Sequence, residues 1–127
     1  MRTHPYKQRR GIDRLIRALR HSVAGLRAAL RTEAAFRQEV ALAALLLPLG
    51  AWLGRDGVER VLLDGAVLQL LIVELLNTAV EYAVDRISLA PHALSRTAKD
   101  LGSAAVLISL ALLVASWSLL LLPRLLR

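Results

Sequence analysis

The sequence predicts an all-α membrane protein, with an N-terminal amphipathic surface helix followed by three transmembrane helices. Hydrophobic residues make up 56% of its 127 residues, more than an ordinary soluble domain contains. Three apolar segments, at 34–53, 61–84 and 101–122, are long enough to cross a hydrocarbon layer of about 30 Å. We expect residues 1–127 to form a single membrane-embedded domain.

The surface helix is predicted over residues 11–31, because its apolar residues recur on one side of a helix. Arg14 and Arg17 lie on the opposite side. This pattern is typical of a helix in the membrane interface, with leucines toward acyl chains and arginines toward phosphates. The apolar side consists of Ile12, Leu15, Ile16, Leu19, Val23, Leu26 and Leu30.

The net charge of +7 indicates an anionic partner, which could be lipid or nucleic acid. Nine of the 17 Lys and Arg residues precede Thr32, beside apolar segments, and no groove-reading motif accompanies them. We therefore expect a basic surface that faces anionic lipid, and no nucleic acid partner.

The distribution of Lys and Arg also predicts the orientation of the chain. With three spans, the N-terminus shares one side with the polar connection 85–100, which adds three basic residues to those nine. The other side, formed by residues 54–60 and the C-terminus, has four. The positive-inside rule therefore places the N-terminus and the second connection in the cytoplasm.

The ends of the spans contain possible helix caps and close contacts. Asp56 and Glu59 have the spacing of a capping box, which predicts that a helix begins there. Asp100 is either a helix cap or a functional residue. Gly102 opens a cluster of small residues that allows close approach between helices.

One face of the second span carries polar side chains that are unusual at membrane depth. Glu74, Asn77, Glu81 and Asp85 fall within an arc of about 80° on a helix. Gln69 lies off this stripe. A carboxylate within a bilayer costs about 2.5–3.5 kcal/mol on insertion scales and is usually functional. The stripe therefore predicts a charged partner, a cation or a catalytic role.

The chemistry available to such a site is that of oxygen ligands. The chain has no cysteine, and His4, His21 and His92 have no metal-binding spacing. Carboxylates suit Mg²⁺, which takes one or two of them and completes its shell with water and substrate phosphates. Glu33, at the junction before the first span, is the natural second carboxylate, and we expect it near the cytoplasmic interface.

Four motifs together make the chain similar to the small prokaryotic diacylglycerol kinases. The resemblance runs in register from about Gly11 to Trp117. It implies an inner-membrane homotrimer that transfers the γ-phosphate of Mg-ATP to diacylglycerol and produces phosphatidic acid. The motifs are Glu33-Ala-Ala-Phe-Arg-Gln-Glu39, Glu74-Leu-Leu-Asn-Thr-Ala-Val-Glu81, Val84-Asp-Arg-Ile87 and Ala98-Lys-Asp-Leu-Gly-Ser-Ala-Ala-Val106.

The resemblance also implies roles for individual residues. Glu74 matches the general base, and Glu33 and Glu81 match the carboxylates that hold the divalent cation. Residues expected to contact the nucleotide are Arg14, His21, Glu33, Asn77, Glu81, Ala90, Pro91, His92, Lys99 and Asp100. Residues expected to contact the lipid substrate are Arg37, Gln38, Glu39, Glu74 and Ser103. The family often has an aromatic residue where this chain has His21, and Pro91 replaces a residue with a backbone N–H.

The same residues are also compatible with other roles. The stripe could join helices without catalysis, Arg37 could pair with Glu33, and Asp85 could pair with Arg86. The substrate could be an isoprenoid alcohol such as undecaprenol. The chain could also be a subunit of an oligomeric cation channel, although the acidic groups cluster at one predicted end rather than along a full path.

Overall fold

The computed structural model describes residues 11–127, which form four α-helices. They are α1 (Gly11–Thr32), α2 (Ala34–Leu53), α3 (Gly57–Ile87) and α4 (Ala93–Leu125). The described residues contain no strand, which confirms the predicted all-α class. The chain divides into two compact units, one ending at Glu33 and the other comprising Ala34–Arg127. Each unit is described by itself.

The three helices of the second unit are long and apolar enough to cross a membrane. This confirms the three predicted spans, and the bounds of α2 are those predicted. At about 1.5 Å per residue, α3 is about 46 Å long and α4 about 50 Å, against a hydrocarbon layer of about 30 Å. Both helices therefore extend beyond the apolar segments 61–84 and 101–122, because polar turns at their ends continue the helical hydrogen bonding.

The first unit contains the amphipathic helix that the sequence predicts. α1 extends one residue past the predicted end, and all seven residues of its apolar side are exposed. Large apolar side chains are not left exposed over a whole helix face without a partner, so this side suits contact with acyl chains. Residues 1–10, including His4, lie outside the described part.

In the second unit α3 packs against both α2 and α4. In a membrane, helix association depends on close packing, because lipid tails are as apolar as the side chains. Ala43 and Ala66 allow this close approach. The indole N–H of Trp117 on α4 donates to the carbonyl oxygen of Leu63 on α3 over 3.0 Å. The buried cluster is Ala43, Ala66, Val67, Leu70 and Leu113.

The predicted cap at the start of α3 is confirmed, but one of its two hydrogen bonds has a different donor. Asp56 is the N-cap, and its carboxylate accepts from the backbone N–H of Glu59 over 2.9 Å. The Glu59 carboxylate accepts from the N–H of Arg55 over 2.7 Å. In a standard capping box that second bond comes from the N-cap residue itself, so the reciprocal contact here is displaced by one residue.

α4 begins at Ala93, so the interpretation of Asp100 as its N-terminal cap is wrong. His92 is the N-cap, and its Nδ1 accepts from the N–H of Leu94 over 3.0 Å. Pro91 directly precedes it and has no N–H that would need a partner. Asp100 lies two turns inside the helix. It is therefore free of a capping role.

Candidate functional site

The predicted stripe on α3 runs from the interior of the helical bundle to the end near the connection 88–92. Glu74 is buried, with 7% of its surface exposed, and so is Thr78 one turn later. Asn77 and Glu81 are half-buried, and Asp85 is exposed. Burial therefore decreases along the stripe toward the connection between α3 and α4.

A second carboxylate, from α2, lies near the deepest residue of the stripe. Glu39 is half-buried, and its charge and that of Glu74 repel each other. The Glu39 Oε2 atom is buried and has no hydrogen-bond partner among the described residues. Helices α2 and α3 thus bring two carboxylates into electrostatic range in a poorly solvated position, where a proton or a donor from a ligand would relieve the repulsion.

Asn77 on α3 faces α4 at Gly102, the first residue of the predicted cluster of small residues. A Cβ atom on Gly102 would overlap the Asn77 Oδ1 atom. That oxygen is buried and has no hydrogen-bond partner within residues 11–127. Gly102 therefore makes room for the amide rather than for ordinary apolar packing, and the predicted close approach of helices is confirmed here.

Lys99 and Asp85 join the start of α4 to the end of α3. The Lys99 Nζ atom lies 2.7 Å from Asp85 Oδ1, and both side chains are more than two-fifths exposed. The predicted pairing of Asp85 with Arg86 is therefore wrong, because the turn between the helices brings Lys99 closer. A lysine ammonium has three donors, so Lys99 can bind Asp85 and still donate to a ligand.

A cavity of about 300 Å³ lies beside this ion pair, under the connection 88–92. Five of its lining residues have ionisable side chains that can contact a nucleotide or its cation. They are Asp85, His92, Arg96, Lys99 and Asp100, and the hydroxyl residues Ser88 and Ser95 line the cavity beside these five. Polar groups from two helix ends and a connection thus converge on one open space.

The connection offers fewer backbone donors than the resemblance implies. The N–H of Ala90 donates to Ser88 Oγ over 3.0 Å, and Pro91 has no N–H. His92 remains as a donor, because acceptance at Nδ1 leaves the hydrogen of the neutral ring on Nε2. Ala90 and Pro91 line the cavity as predicted, but His92 is the better hydrogen-bonding group.

Three predicted site residues belong to the first unit. Arg14 and His21 are exposed on α1 and are seven residues apart, which places them on one helix face. Glu33 follows the end of α1 and is half-buried. Its carboxylate accepts from the hydroxyl of Thr32 over 3.2 Å.

The remaining predicted contacts to the lipid substrate are exposed. Arg37 and Gln38 lie in the first turns of α2, and Ser103 follows Gly102 on α4. Within residues 11–127, no three His, Asp or Glu side chains come together as a complete protein metal site. A site with one or two carboxylates and substrate phosphates does not need such a group.

One residue beside the stripe and one contact of the stripe were not predicted from the sequence. Thr78 lies one turn after Glu74 on the same side of α3, so helical spacing alone could have included it. The pairing of Lys99 with Asp85 crosses a connection. It depends on how tightly the chain turns, which neither helix periodicity nor composition specifies.

Comparison with known proteins gives the family of the chain. The sequence profile described as prokaryotic diacylglycerol kinase matches residues 20–121, which include the whole stripe and Lys99. The chain belongs to the prokaryotic diacylglycerol kinase family. This membership confirms the resemblance carried by the four motifs.

Several diacylglycerol kinases are similar to the chain over nearly their full length. The Pseudomonas aeruginosa protein is 45% identical over 122 residues, covering 96% of this chain and 99% of the relative. The Escherichia coli K12 protein is 49% identical over 111 residues, or 87% and 91% of the two chains. The Haemophilus influenzae protein is 44% identical over 107 residues, or 84% and 91%. Membership of a kinase family favours phosphoryl transfer over a role as a subunit of a cation channel.

Proposed function

We propose that this chain is an ATP-dependent diacylglycerol kinase, which transfers the γ-phosphate of ATP to the primary hydroxyl of diacylglycerol and yields phosphatidic acid. The similarity to diacylglycerol kinases supports the substrate and the reaction. The three apolar helices supply a route for a lipid substrate within the bilayer. The positive-inside distribution supports an inner-membrane protein whose N-terminus and 88–92 connection face the cytoplasm, where ATP is present.

The observation that carries this proposal is the set of buried oxygens around Glu74. Glu39 Oε2 and Asn77 Oδ1 are both buried acceptors without a partner in the described chain. A buried polar atom that lacks a hydrogen bond is costly, above all where no water is available. A substrate hydroxyl or the nucleotide can supply the missing donor or cation, so these atoms suit a site that is completed by its ligands.

Glu74 is the general base of the proposed reaction. The lipid hydroxyl gives its proton to the Glu74 carboxylate while its oxygen bonds to the γ-phosphorus, and the bond from that phosphorus to ADP breaks. Arg37, Gln38, Glu39 and Ser103 are assigned to the lipid substrate.

The nucleotide is assigned to the cavity near the connection 88–92. Lys99 neutralises phosphate charge, Asp100 and Asn77 orient the nucleotide, and His92 donates from Nε2. Ala90 and Pro91 are apolar walls of this cavity. The family resemblance also assigns Arg14, His21 and Glu33 to the nucleotide. This proposal does not depend on a backbone N–H at Pro91.

Mg²⁺ fits the donor set of this site. Glu81 would be a carboxylate ligand of the cation, and the family resemblance assigns Glu33 to the same ion. One or two carboxylates together with substrate phosphates are the usual ligands of protein-bound Mg²⁺. When it is bound with ATP, the cation neutralises charge on the phosphates. The other groups, Lys99 and the carboxylates of Glu39 and Glu74, act on the nucleotide and the lipid hydroxyl directly.

We assign the working form to a homotrimer, as the family resemblance implies. A bundle of three helices leaves Asn77 and Glu81 half-buried rather than enclosed. Phosphoryl transfer requires that water be excluded from the reacting groups. Neighbouring copies of the chain would supply the missing walls.

The assignment of the base is tested by the substitution Glu74→Gln, with Gln69→Leu as the matched control. Gln69 is an exposed polar residue of the same helix and lies off the stripe. With saturating lipid and ATP, Glu74→Gln should lower kcat by about 10²–10⁴-fold, the usual contribution of a general base, while Gln69→Leu retains turnover. Near-normal turnover in a folded Glu74→Gln protein would show that Glu74 is not the base.

A further inference from the structure

A second polar cavity lies at the end of the helical bundle opposite the connection 88–92. Its volume is about 160 Å³, and it lies between the start of α3 and the last turns of α4. Its polar walls are Arg55, Glu59, Arg124 and Arg127, and its apolar walls include Leu119 and Leu120. None of these residues has a role in the proposed phosphoryl transfer.

One of the three arginines is fixed by the ends of two other helices. Arg124 Nη1 donates to the carbonyl oxygen of Leu53 at the end of α2 over 2.8 Å. Its Nη2 donates to the carboxylate of Glu59 in the first turn of α3. Because Glu59 also accepts from the N–H of Arg55, its carboxylate is held on both sides. The wall of the cavity is therefore ordered rather than a loose group of side chains.

The other two arginines leave the cavity with excess positive charge. Of the ion pairs within residues 11–127, only that between Arg124 and Glu59 involves a residue of this cavity. Arg55 and Arg127 thus line the cavity without an ion pair of their own, and Arg55 lies within electrostatic range of Glu59. The cavity is lined by three arginines and one glutamate, so its side chains carry a net positive charge that favours an anionic ligand.

The apolar wall restricts the kind of anion that fits. Leu119 and Leu120 belong to a helix that can cross a membrane, and Leu119 is 77% exposed. A ligand in this position can place an anionic group on the arginines and an apolar chain along α4. Guanidinium groups match phosphate oxygens with paired hydrogen bonds, and basic pockets between membrane helices bind lipid head groups.

We infer that this cavity binds the phosphate head group of an anionic membrane phospholipid, in the leaflet opposite the proposed kinase site. Arg55 and Arg127 contact the phosphate, Arg124 and Glu59 hold the wall in place, and the acyl chains lie along Leu119. The bound lipid would anchor the far ends of α2, α3 and α4 at the membrane surface. This assignment does not depend on the proposed kinase activity.

A nonspecific role for the arginines predicts a different binding behaviour. Arginines at the end of a membrane helix often extend to the interface without binding one particular lipid. Such side chains would retain zwitterionic and anionic lipids alike. A site of defined charge and volume instead predicts saturable binding with a preference for the anionic head group.

Lipid titration monitored by native mass spectrometry tests the inference. The full-length protein is delipidated in a neutral detergent and titrated with phosphatidylglycerol or with phosphatidylcholine of identical acyl chains. We expect saturable binding of phosphatidylglycerol, about tenfold tighter than that of phosphatidylcholine. Arg55→Gln/Arg127→Gln should lose this preference, because it removes both arginines that make no ion pair and leaves the Arg124 contacts in place.

Two controls separate the possible outcomes. Arg60→Gln removes an exposed arginine at the same end of the bundle that does not line the cavity, and it should retain the preference. Inorganic phosphate is titrated as a competitor to identify a site for a free anion. The single variant Arg127→Gln repeats the test if the double variant unfolds.

Three outcomes would overturn the assignment. They are equal affinity for the two lipids in the wild-type protein, an unchanged preference in the folded variants that lack Arg127, and complete displacement of the lipid by millimolar inorganic phosphate.

Discussion

The amide oxygen of Asn77 on α3 lies against the backbone of Gly102 on α4, where any side chain would overlap it. The two helices can approach this closely only because position 102 has no Cβ. The close approach holds a polar group at the centre of the stripe that leads from Glu74 to Lys99. A helix contact thus determines where a site residue lies.

Gly102→Ala should therefore reduce catalysis more than stability. The added Cβ displaces the Asn77 amide, and a shift of about 1 Å in a positioning group can cost about a hundredfold in rate. We expect kcat/KM for ATP to fall at least tenfold while the fold is retained. Steady-state kinetics in mixed micelles provide the measurement.

Gly65→Ala is the matched control for that substitution. Position 65 is also a glycine in a membrane helix, but an added Cβ there meets nothing within 4 Å. Alanine should preserve activity and stabilise the helix by about 0.5–1 kcal/mol. Equal losses of activity in the two variants would contradict the role given to Gly102.

A second glycine contact lies at the other end of α3 and should affect stability alone. A Cβ on Gly50 would overlap Asp64 Oδ1, which is buried and has no partner among the described residues. Gly50→Ala should destabilise the protein by about 1–3 kcal/mol, as overpacking does. The measurement is the free energy of unfolding in detergent and denaturant.

Asp64→Ala should rescue the Gly50→Ala variant. Removal of the carboxylate clears the space that the new Cβ needs, and it also removes a buried oxygen that lacks a hydrogen bond. The double variant should be as stable as Asp64→Ala within about 0.5 kcal/mol. Additive effects of the two changes would show that these residues do not interact.

Asp85→Asn should change nucleotide use without affecting stability. The ion pair with Lys99 is exposed, and exposed pairs contribute little to folding. Asp85 nevertheless holds the Lys99 ammonium, which neutralises phosphate charge in the proposed mechanism, so its loss should raise KM for ATP about threefold to tenfold with a smaller effect on kcat. An unchanged KM together with a lowered unfolding midpoint would indicate a purely structural pair.

Arg124→Gln should lower stability without changing nucleotide use. It removes the hydrogen bond to Leu53 and the ion pair with Glu59 that hold the ends of three helices together. We expect a lower thermal unfolding midpoint and an unchanged KM for ATP, because these contacts lie at the far end of α3 from Lys99. A raised KM in a folded variant would contradict the separation of the two ends.

The helices were predictable from the sequence because each has a strong local pattern. The apolar side of α1 has helical spacing, and the three spans are long apolar runs. The start of α3 was also predicted, since a cap at Asp56 depends on neighbouring residues. The start of α4 was not, because His92 is an uncommon cap and Asp100 has the more usual residue type.

The site was predictable along one helix but not between helices. The spacing of Glu74, Asn77 and Glu81 depends only on the geometry of α3, and their shared face follows from the sequence. The pairing of Lys99 with Asp85 depends on the turn between α3 and α4. The contact of Asn77 with Gly102 depends on the register of two packed helices. These tertiary relationships have no local sequence pattern.

The most direct test of the central claim is transfer of label from ATP radiolabelled at the γ-phosphate. The purified protein is incubated with Mg²⁺ in mixed micelles that contain diacylglycerol or undecaprenol, with Glu74→Gln in parallel. If the chain is a diacylglycerol kinase with Glu74 as its base, the wild-type protein should transfer label to phosphatidic acid, and Glu74→Gln should transfer far less. Label only in undecaprenyl phosphate would contradict the substrate, and no label in either lipid from a folded oligomer would contradict the kinase assignment.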